Sequence, residues 1–243
     1  MQLVLLAAGK GSRLGLNVTN KCFVKVCEKY LLDYNLEQFL KINLDEIIIV
    51  VGHNAKYIID YLGNSYHGIP ITYVFQKQLL GIAHAIKIAS PYIRDTFIMC
   101  LSDELFINQN IEGMCSYFLE TQPDCLCGVV KDTVENIQKA YTLDVTPNNN
   151  ILRLIEKPTS VYNHWKGTGC CFMKKTMLPL LETLQQNSTR NEYEMGDWIQ
   201  LAIDKKFACK IYPVALANFN LNTQKDLALA EAYLKREKRE VNV

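Results

Sequence analysis

The feature that most constrains the fold is a regular alternation of short, uninterrupted apolar runs with segments of helical periodicity. The runs at 2–6, 46–51 and 97–101 are largely apolar, and 46–51 is rich in β-branched residues, as expected for strands that are covered on both faces. Segments with apolar residues at helical spacing, such as 31–42 and 54–62, lie between them. We therefore predict an α/β fold with a Rossmann-like, mostly parallel sheet and helices on both faces.

The second half of the chain has a different pattern, with several strands before the last helices. Strands are predicted at 126–130, 141–145, 151–155 and 169–173, with a turn at 147–150. Predicted helices follow at 176–186, 193–204 and 223–235. Because no low-complexity linker separates the halves, we expect a single domain made of two lobes rather than two independent domains.

Composition narrows the classes of function. The formal net charge of the 243 residues is +1, so there is no overall field to recruit nucleic acid or an anionic membrane. No run approaches the roughly 20 apolar residues that span a bilayer, and the N-terminus does not fit a signal peptide. The nine cysteines include no C-x-x-C pair, which favours reduced thiols over a zinc site. We expect a cytoplasmic protein without nucleic-acid or membrane partners.

A glycine-rich loop follows the first predicted strand and carries the strongest chemical signal. Small residues let the backbone approach a polyphosphate, and successive N–H groups can hold its oxygens. Arg13 can grip phosphate bidentately, and Lys21 can act as a point charge. The spacing fits neither a dinucleotide fingerprint nor a P-loop. The nucleotide-binding residues predicted in this loop are Leu6, Ala7, Ala8, Gly9, Lys10, Gly11, Ser12 and Arg13.

Further short motifs follow the loop in a fixed order. They are Gln76 with Leu80-Gly81-Ile82-Ala83-His84-Ala85, Ser102-Asp103, Glu156-Lys157-Pro158, Thr168-Gly169, Glu192-Tyr193-Glu194 with Asp197, and Asn220-Leu221-Asn222-Thr223 with Asp226-Leu227. Together with the A-A-G-K-G-S-R-L loop and its following lysine, they resemble the sugar-nucleotide pyrophosphorylases of the nucleotidyltransferase superfamily. The resemblance covers nearly the whole chain and implies their GT-A-like fold.

The resemblance also implies roles for the residues that match its motifs. The nucleotide lobe is 1–105, where Gln76 and Gly81 contact the base, Ser102 lies beside the nucleotide, and Arg13, Lys21 and Asp103 are catalytic. The acceptor lobe is 106–243, where Lys157 binds the acceptor phosphate, with Glu156, Gly169 and Tyr141 near the sugar. Asp103 and Asn222 are the implied Mg²⁺ ligands, with Asn220 as the alternative to Asn222. For His84, on a predicted helix, we expect a structural role.

The expected reaction joins a nucleoside monophosphate from an NTP to a sugar 1-phosphate, with Mg²⁺ as cofactor. UTP is the first choice of nucleotide, followed by CTP, dTTP and GTP. Two alternatives stay open, namely a cytidylyltransferase for phosphocholine or another small phosphate and a catalytically silent, nucleotide-sensing subunit. A homodimer is what the resemblance suggests for the assembly.

Overall fold

A central sheet organises the computed structural model, which describes residues 1–9 and 20–240, with side chains through Glu237. In chain order, strands β1 to β14 are Gln2–Ala7, Lys25–Val26, Lys29–Tyr30, Glu46–Val51, Ser65–Tyr66, Ile69–Phe75, Thr96–Leu101, Glu104–Ile107, Cys125–Lys131, Tyr141–Val145, Ile151–Glu156, Trp165–Lys174, Cys209–Pro213 and Ala217–Asn220. Helices α1 to α7 are Leu31–Glu37, Ala55–Leu62, Ile82–Ala89, Ile111–Thr121, Val134–Ile137, Met195–Asp204 and Gln224–Glu240.

Within the described residues, the central sheet has eight strands in the order β13-β9-β12-β7-β1-β4-β6-β5. Strands β1, β4, β6 and β7 run parallel, as do β9 and β13. Strand β12 runs antiparallel to both β7 and β9. The mostly parallel α/β sheet predicted from the sequence is therefore present, with one long antiparallel strand joining its two halves.

Both faces of the sheet are buried, as the continuous apolar runs require. In β1, Val4 and Leu6 pack on one face with Ile86 of α3 and Trp198 of α6. Leu3 and Leu5 pack on the other face with residues of α1, α2 and α4. The two-residue period of a strand thus divides a wholly apolar run between two cores.

The parallel strands end at one edge of the sheet, which sets the position of the site. Ala7 at the end of β1 pairs with Val51 at the end of β4, and Leu6 pairs with Leu101 of β7. The loops that follow pack tightly, because a Cβ on Gly52 would lie 2.8 Å from the Ala8 carbonyl oxygen. In α/β sheets, ligands bind beyond this edge.

Some local predictions were wrong for identifiable reasons. The helix expected over 176–186 is a 3₁₀ helix at Lys175–Glu182 with Pro179 inside it, and proline removes a donor that an α-helix needs. The helix expected over 31–42 ends at Glu37. Asn54 precedes α2 at φ 57° and does not cap it with its side chain, since that backbone conformation is left-handed rather than the extended form of an N-cap.

The described residues contain no helix long and apolar enough to cross a membrane. All nine cysteines are free thiols, and all but Cys27 are buried.

Candidate active site

Two adjoining cavities lie at the carboxyl edge of the sheet. The first, of about 460 Å³, opens beside the end of β1 and is called the β1 cavity. The second, of about 500 Å³, is lined by the first half of β12 and is called the β12 cavity. Ile82, Leu101 and Asn222 line both, so a group held at this shared wall reaches ligands on either side.

The β1 cavity brings together the described nucleotide-site residues predicted from the sequence. Its lining includes Leu6, Ala7, Ala8, Gly9, Lys21, Gln76, Gly81, Ser102, Asp103 and Asn222. Lys10, Gly11, Ser12 and Arg13 lie outside the described residues, so their proposed contacts stay predictions.

Lys21 is the centre of the polar contacts in this cavity. Its Nζ lies 2.6 Å from Asp103 Oδ2 and 2.7 Å from Asn222 Oδ1. Asn20 fixes the turn that carries it, because Asn20 Oδ1 accepts from the Cys22 N–H at 3.0 Å and its Nδ2 donates to the His53 carbonyl at 3.1 Å. A buried asparagine thus holds the lysine in place through the backbone.

The oxygens of Asp103 and Asn222 suit a divalent cation. Both contact the same ammonium nitrogen, so a single small cation can lie within reach of both. One carboxylate and one amide oxygen are a donor set that Mg²⁺ accepts when substrate phosphates complete its shell. Among the described residues, no three His, Cys, Asp or Glu side chains form a metal-binding group. Asn220 is placed elsewhere, since its Nδ2 donates to Glu104 Oε1 at 3.1 Å.

Gln76 follows β6 and is held by the segment that opens α3. Its Nε2 lies 3.3 Å from the Gly81 carbonyl oxygen and 3.0 Å from His84 Nδ1. Gly81 has φ 100°, and a Cβ there would lie 2.5 Å from the Tyr193 carbonyl oxygen. Glycine is therefore required for α3 to start this close to Tyr193.

Glu104 is a buried carboxylate that lines the β12 cavity. Its Oε2 accepts from the Gly169 N–H at 2.9 Å and from Asn218 Nδ2 at 3.1 Å. Burial, and next the charge of Asp103, raise the pKa of Glu104 to about 7. The carboxylate ties β8 to β12 and β14, and so fixes the wall that carries Gly169 and Asn218.

Glu156 and Glu194 line another wall of the β12 cavity, and Arg190 contacts both. Arg190 Nη1 lies 2.9 Å from Glu194 Oε1 and 3.6 Å from Glu156 Oε1. Burial raises the pKa of both glutamates, and for Glu156 the neighbouring charge of Glu194 adds to the rise. Glu194 Oε1 is buried, and its partner among the described residues is the charge of Arg190 rather than a hydrogen bond.

Asn218 presents a second buried oxygen of this kind. Its Nδ2 donates to Glu104 Oε2, and its backbone carbonyl accepts from the buried Lys166 ammonium at 2.8 Å. Lys166 also pairs with Asp132 Oδ2 at 2.6 Å. Among the described residues, no donor reaches Asn218 Oδ1. Two hydrogen bonds thus fix the position of Asn218, while its amide oxygen stays unpaired.

The residues predicted for the acceptor divide into two groups. Glu156, Gly169 and Tyr141 line the β12 cavity, and Tyr141 donates its hydroxyl to the Thr168 carbonyl at 2.8 Å. Lys157 is exposed at φ 44° and is not part of the lining. The sequence interpretation did not identify Asn20, Lys166, Arg190 or Asn218, because no motif marks them.

Comparison with known proteins decides the family. The model of the nucleotidyl transferase family matches residues 2–212. The chain belongs to the nucleotidyl transferase family. The predicted place among its sugar-nucleotide pyrophosphorylases is confirmed.

Curated members of the family show how far the similarity extends. UTP--glucose-1-phosphate uridylyltransferase AglF of Haloferax volcanii is 31% identical over 206 residues, which cover 84% of this chain and 84% of that protein. Low-salt glycan biosynthesis nucleotidyltransferase Agl11 of the same organism is 30% identical, over 86% of this chain and 58% of that protein. Bifunctional protein GlmU of Thermodesulfovibrio yellowstonii is 25% identical, and the match spans 52% of its length.

Solved structures of this family confirm the fold. UDP-glucose pyrophosphorylase complexed with UDP-glucose superposes with a TM-score of 0.85 at 20% identity, covering 97% of this chain and 98% of that one. A putative glucose-1-phosphate thymidylyltransferase from Bacillus anthracis also gives 0.85 at 21% identity, over 96% and 94% of the two chains.

Proposed function

We propose that this nucleotidyltransferase joins a nucleoside monophosphate from an NTP to a sugar 1-phosphate, forming an NDP-sugar and releasing pyrophosphate. The observation that carries the proposal is the position of Lys21, Asp103 and Asn222. Lys21 bonds both other side chains, and Asn222 lies on the wall common to the two cavities. A nucleotidyl group transferred between ligands of these cavities passes this cluster.

In the proposed complex, the NTP occupies the β1 cavity with its phosphates against the backbone of Ala8 and Gly9. On binding of the NTP, Lys21 exchanges its contacts with Asp103 and Asn222 for the α-phosphate, where it neutralises the charge that builds. Mg²⁺, held by Asp103 and Asn222, would supply further charge neutralisation at the phosphates. Arg13 is proposed to bind the departing pyrophosphate.

The chemistry needs little from the protein beyond placement and charge. An oxygen of the acceptor phosphate attacks the α-phosphorus, a new P–O bond forms, and the bond to the pyrophosphate oxygen breaks. A phosphate monoester is already a nucleophile at neutral pH, so no general base is required. Positioning and electrostatic stabilisation therefore supply most of the rate.

The β12 cavity favours a sugar as the organic part of the acceptor. Asn218 Oδ1 is buried without a hydrogen-bond donor from the described residues, and Glu194 Oε1 is buried beside Arg190 with no hydrogen bond. A buried oxygen such as that of Asn218 costs roughly 1–3 kcal/mol when it stays unpaired. Sugar hydroxyls can donate to both. The trimethylammonium head of phosphocholine carries no hydrogen-bond donor and would leave them unpaired. UTP is the proposed nucleotide, which agrees with the name of the 31% identical relative.

The test is a substrate panel with purified protein. Each NTP and dTTP is combined with Mg²⁺ and one acceptor from a set of sugar 1-phosphates plus phosphocholine, and pyrophosphate release is recorded. We expect release that depends on a sugar 1-phosphate and is fastest with UTP. Asp103→Asn is expected to lower kcat by roughly 10²–10³, because a preorganised charge is lost.

The matched control is Asp60→Asn, which changes a surface aspartate paired with Lys56 on α2 and should retain the wild-type rate. Release only with phosphocholine would replace the sugar proposal by the cytidylyltransferase alternative. Nucleotide binding without release from any pair would favour the silent subunit.

A further inference from the structure

The Gln76 side chain has both of its amide hydrogens committed inside the protein. The side chain is buried, with Nε2 at 3.3 Å from the Gly81 carbonyl oxygen and at 3.0 Å from His84 Nδ1. A backbone carbonyl can only accept hydrogen bonds, so the amide nitrogen, and not the amide oxygen, must face it. The orientation of the amide is therefore set by chemistry.

His84 completes this arrangement by accepting the second hydrogen. Burial, and next the charge of Lys87, lower the pKa of His84, so the neutral ring is favoured and Nδ1 can carry a lone pair toward Gln76. The ring stacks on Tyr193 with centroids 6.4 Å apart. Tyr193 is itself fixed, because its N–H donates to the Leu80 carbonyl and its carbonyl accepts from the Ala83 N–H.

With both hydrogens used, Gln76 can offer a ligand only its amide oxygen. No described residue donates to Gln76 Oε1, and the residue lines the β1 cavity. Uracil and thymine carry a hydrogen on ring nitrogen N3, which can donate to such an oxygen. The N3 of cytosine is an acceptor and would face the oxygen lone pair to lone pair. Cytosine can offer only its exocyclic amine and must shift within the site to do so.

We propose that His84 is a positioning residue for nucleotide selection. By holding Gln76 as a pure acceptor, it makes the base site select pyrimidines with an N3 hydrogen over cytosine. This inference rests on the proposed function, in which the β1 cavity takes the NTP. It gives His84 a defined role beyond the structural one expected from the sequence.

The test measures kcat/KM for UTP and for CTP at saturating sugar 1-phosphate, in the wild type, His84→Ala and His84→Asn. The UTP-to-CTP ratio is independent of the fraction of active protein, so a general loss of structure does not change it. We expect the wild type to prefer UTP by at least about tenfold. His84→Ala frees the amide to turn, and the ratio should fall by about tenfold. His84→Asn should retain most of the ratio, since its Oδ1 can accept from Gln76 in place of Nδ1.

His67→Asn on the β5–β6 hairpin serves as the histidine control and should leave the ratio unchanged. An unchanged ratio in His84→Ala, an equal loss in His84→Asn, or a wild-type preference for CTP would each overturn the inference.

Calorimetric measurement of UMP and CMP binding to the same proteins tests the role of His84 separately from the proposed reaction. If no acceptor supports turnover but UMP binds more tightly than CMP in a His84-dependent way, the inference holds while the proposed reaction fails. If neither nucleotide binds and no acceptor supports turnover, both fail.

Discussion

The two cavities differ in how completely their polar groups are paired within the protein. In the β1 cavity, Lys21 already bonds Asp103 and Asn222, and Gln76 is tied to Gly81 and His84. The β12 cavity instead keeps two buried oxygens that receive no hydrogen bond from the described residues, Asn218 Oδ1 and the Glu194 Oε1 that Arg190 neutralises. Its glutamates have raised pKa values.

The β1 cavity is therefore a preorganised reaction site, whereas the hydrogen bonding of the β12 cavity is completed only by its ligand. Fixed charges need no rearrangement when the transition state forms, which is how preorganisation accelerates a reaction. A buried oxygen without a hydrogen bond, by contrast, destabilises the free protein until a ligand with suitable donors binds. We infer that the β1 cavity carries the shared chemistry and that the β12 cavity decides the acceptor.

The largest effect is expected from Lys21→Met, which removes the cation at the centre of the paired cavity. The rate constant kcat should fall by roughly 10²–10³ because charge on the α-phosphate is no longer neutralised. Initial rates of pyrophosphate release measure this. Lys56→Met on the surface of α2 is the control and should keep the wild-type rate. A Lys21→Met enzyme within about threefold of wild type would show that the paired cluster is structural.

A smaller effect is expected from Glu194→Gln, which removes the charge of an acceptor in the β12 cavity but keeps its shape. Hydrogen bonds to charged groups are about 1–1.5 kcal/mol stronger than neutral ones, so KM for the sugar 1-phosphate should rise by about tenfold. KM for the NTP should stay unchanged, as it should for both substrates in the surface variant Glu120→Gln. An equal rise of both KM values in Glu194→Gln would contradict the assignment of the acceptor to the β12 cavity and of the NTP to the β1 cavity.

The smallest effect concerns the pH dependence of nucleotide selection. The pKa of His84 is lowered from its usual value of 6.5 by burial and by Lys87, whose ammonium also pairs with Glu182. The neutral ring therefore prevails above pH 6.5 and is lost only as the pH falls through the lower folded value. The UTP-to-CTP ratio should be constant from about pH 8.5 to 6.5 and decline by a few-fold in more acidic buffer. In His84→Asn the ratio should stay constant over the whole range, and a parallel decline in that variant would assign the effect to another group.

The features that the sequence predicted correctly are those determined by patterns of neighbouring residues. Strands β1, β4 and β7 are continuous apolar runs, and their ends place Ala8, Gly9 and Asp103 at one edge of the sheet. Gln76 and Gly81 were found through a motif whose members lie five residues apart. In each case the constraint lies within a few residues of the side chain that it positions.

What the sequence did not show depends on pairing between distant segments. Strands β8 and β14 are four residues each and pair across more than a hundred residues of chain, so neither has a pattern long enough to recognise alone. Asn218 faces the β12 cavity only because β14 pairs with β8 and Glu104 holds its amide. The antiparallel direction of β12, which carries Lys166 into the same cavity, likewise follows from long-range pairing.

The most direct test of the central claim is to follow an oxygen through the reaction. The sugar 1-phosphate that supports turnover is prepared with ¹⁸O in its non-bridging phosphate oxygens and incubated with UTP, Mg²⁺ and the protein. ³¹P NMR then locates the label. The account predicts ¹⁸O in the oxygen that bridges the two phosphorus atoms of the NDP-sugar, and unlabelled pyrophosphate. Label in the pyrophosphate, or a bridge without ¹⁸O, would contradict direct attack of the acceptor phosphate on the α-phosphorus.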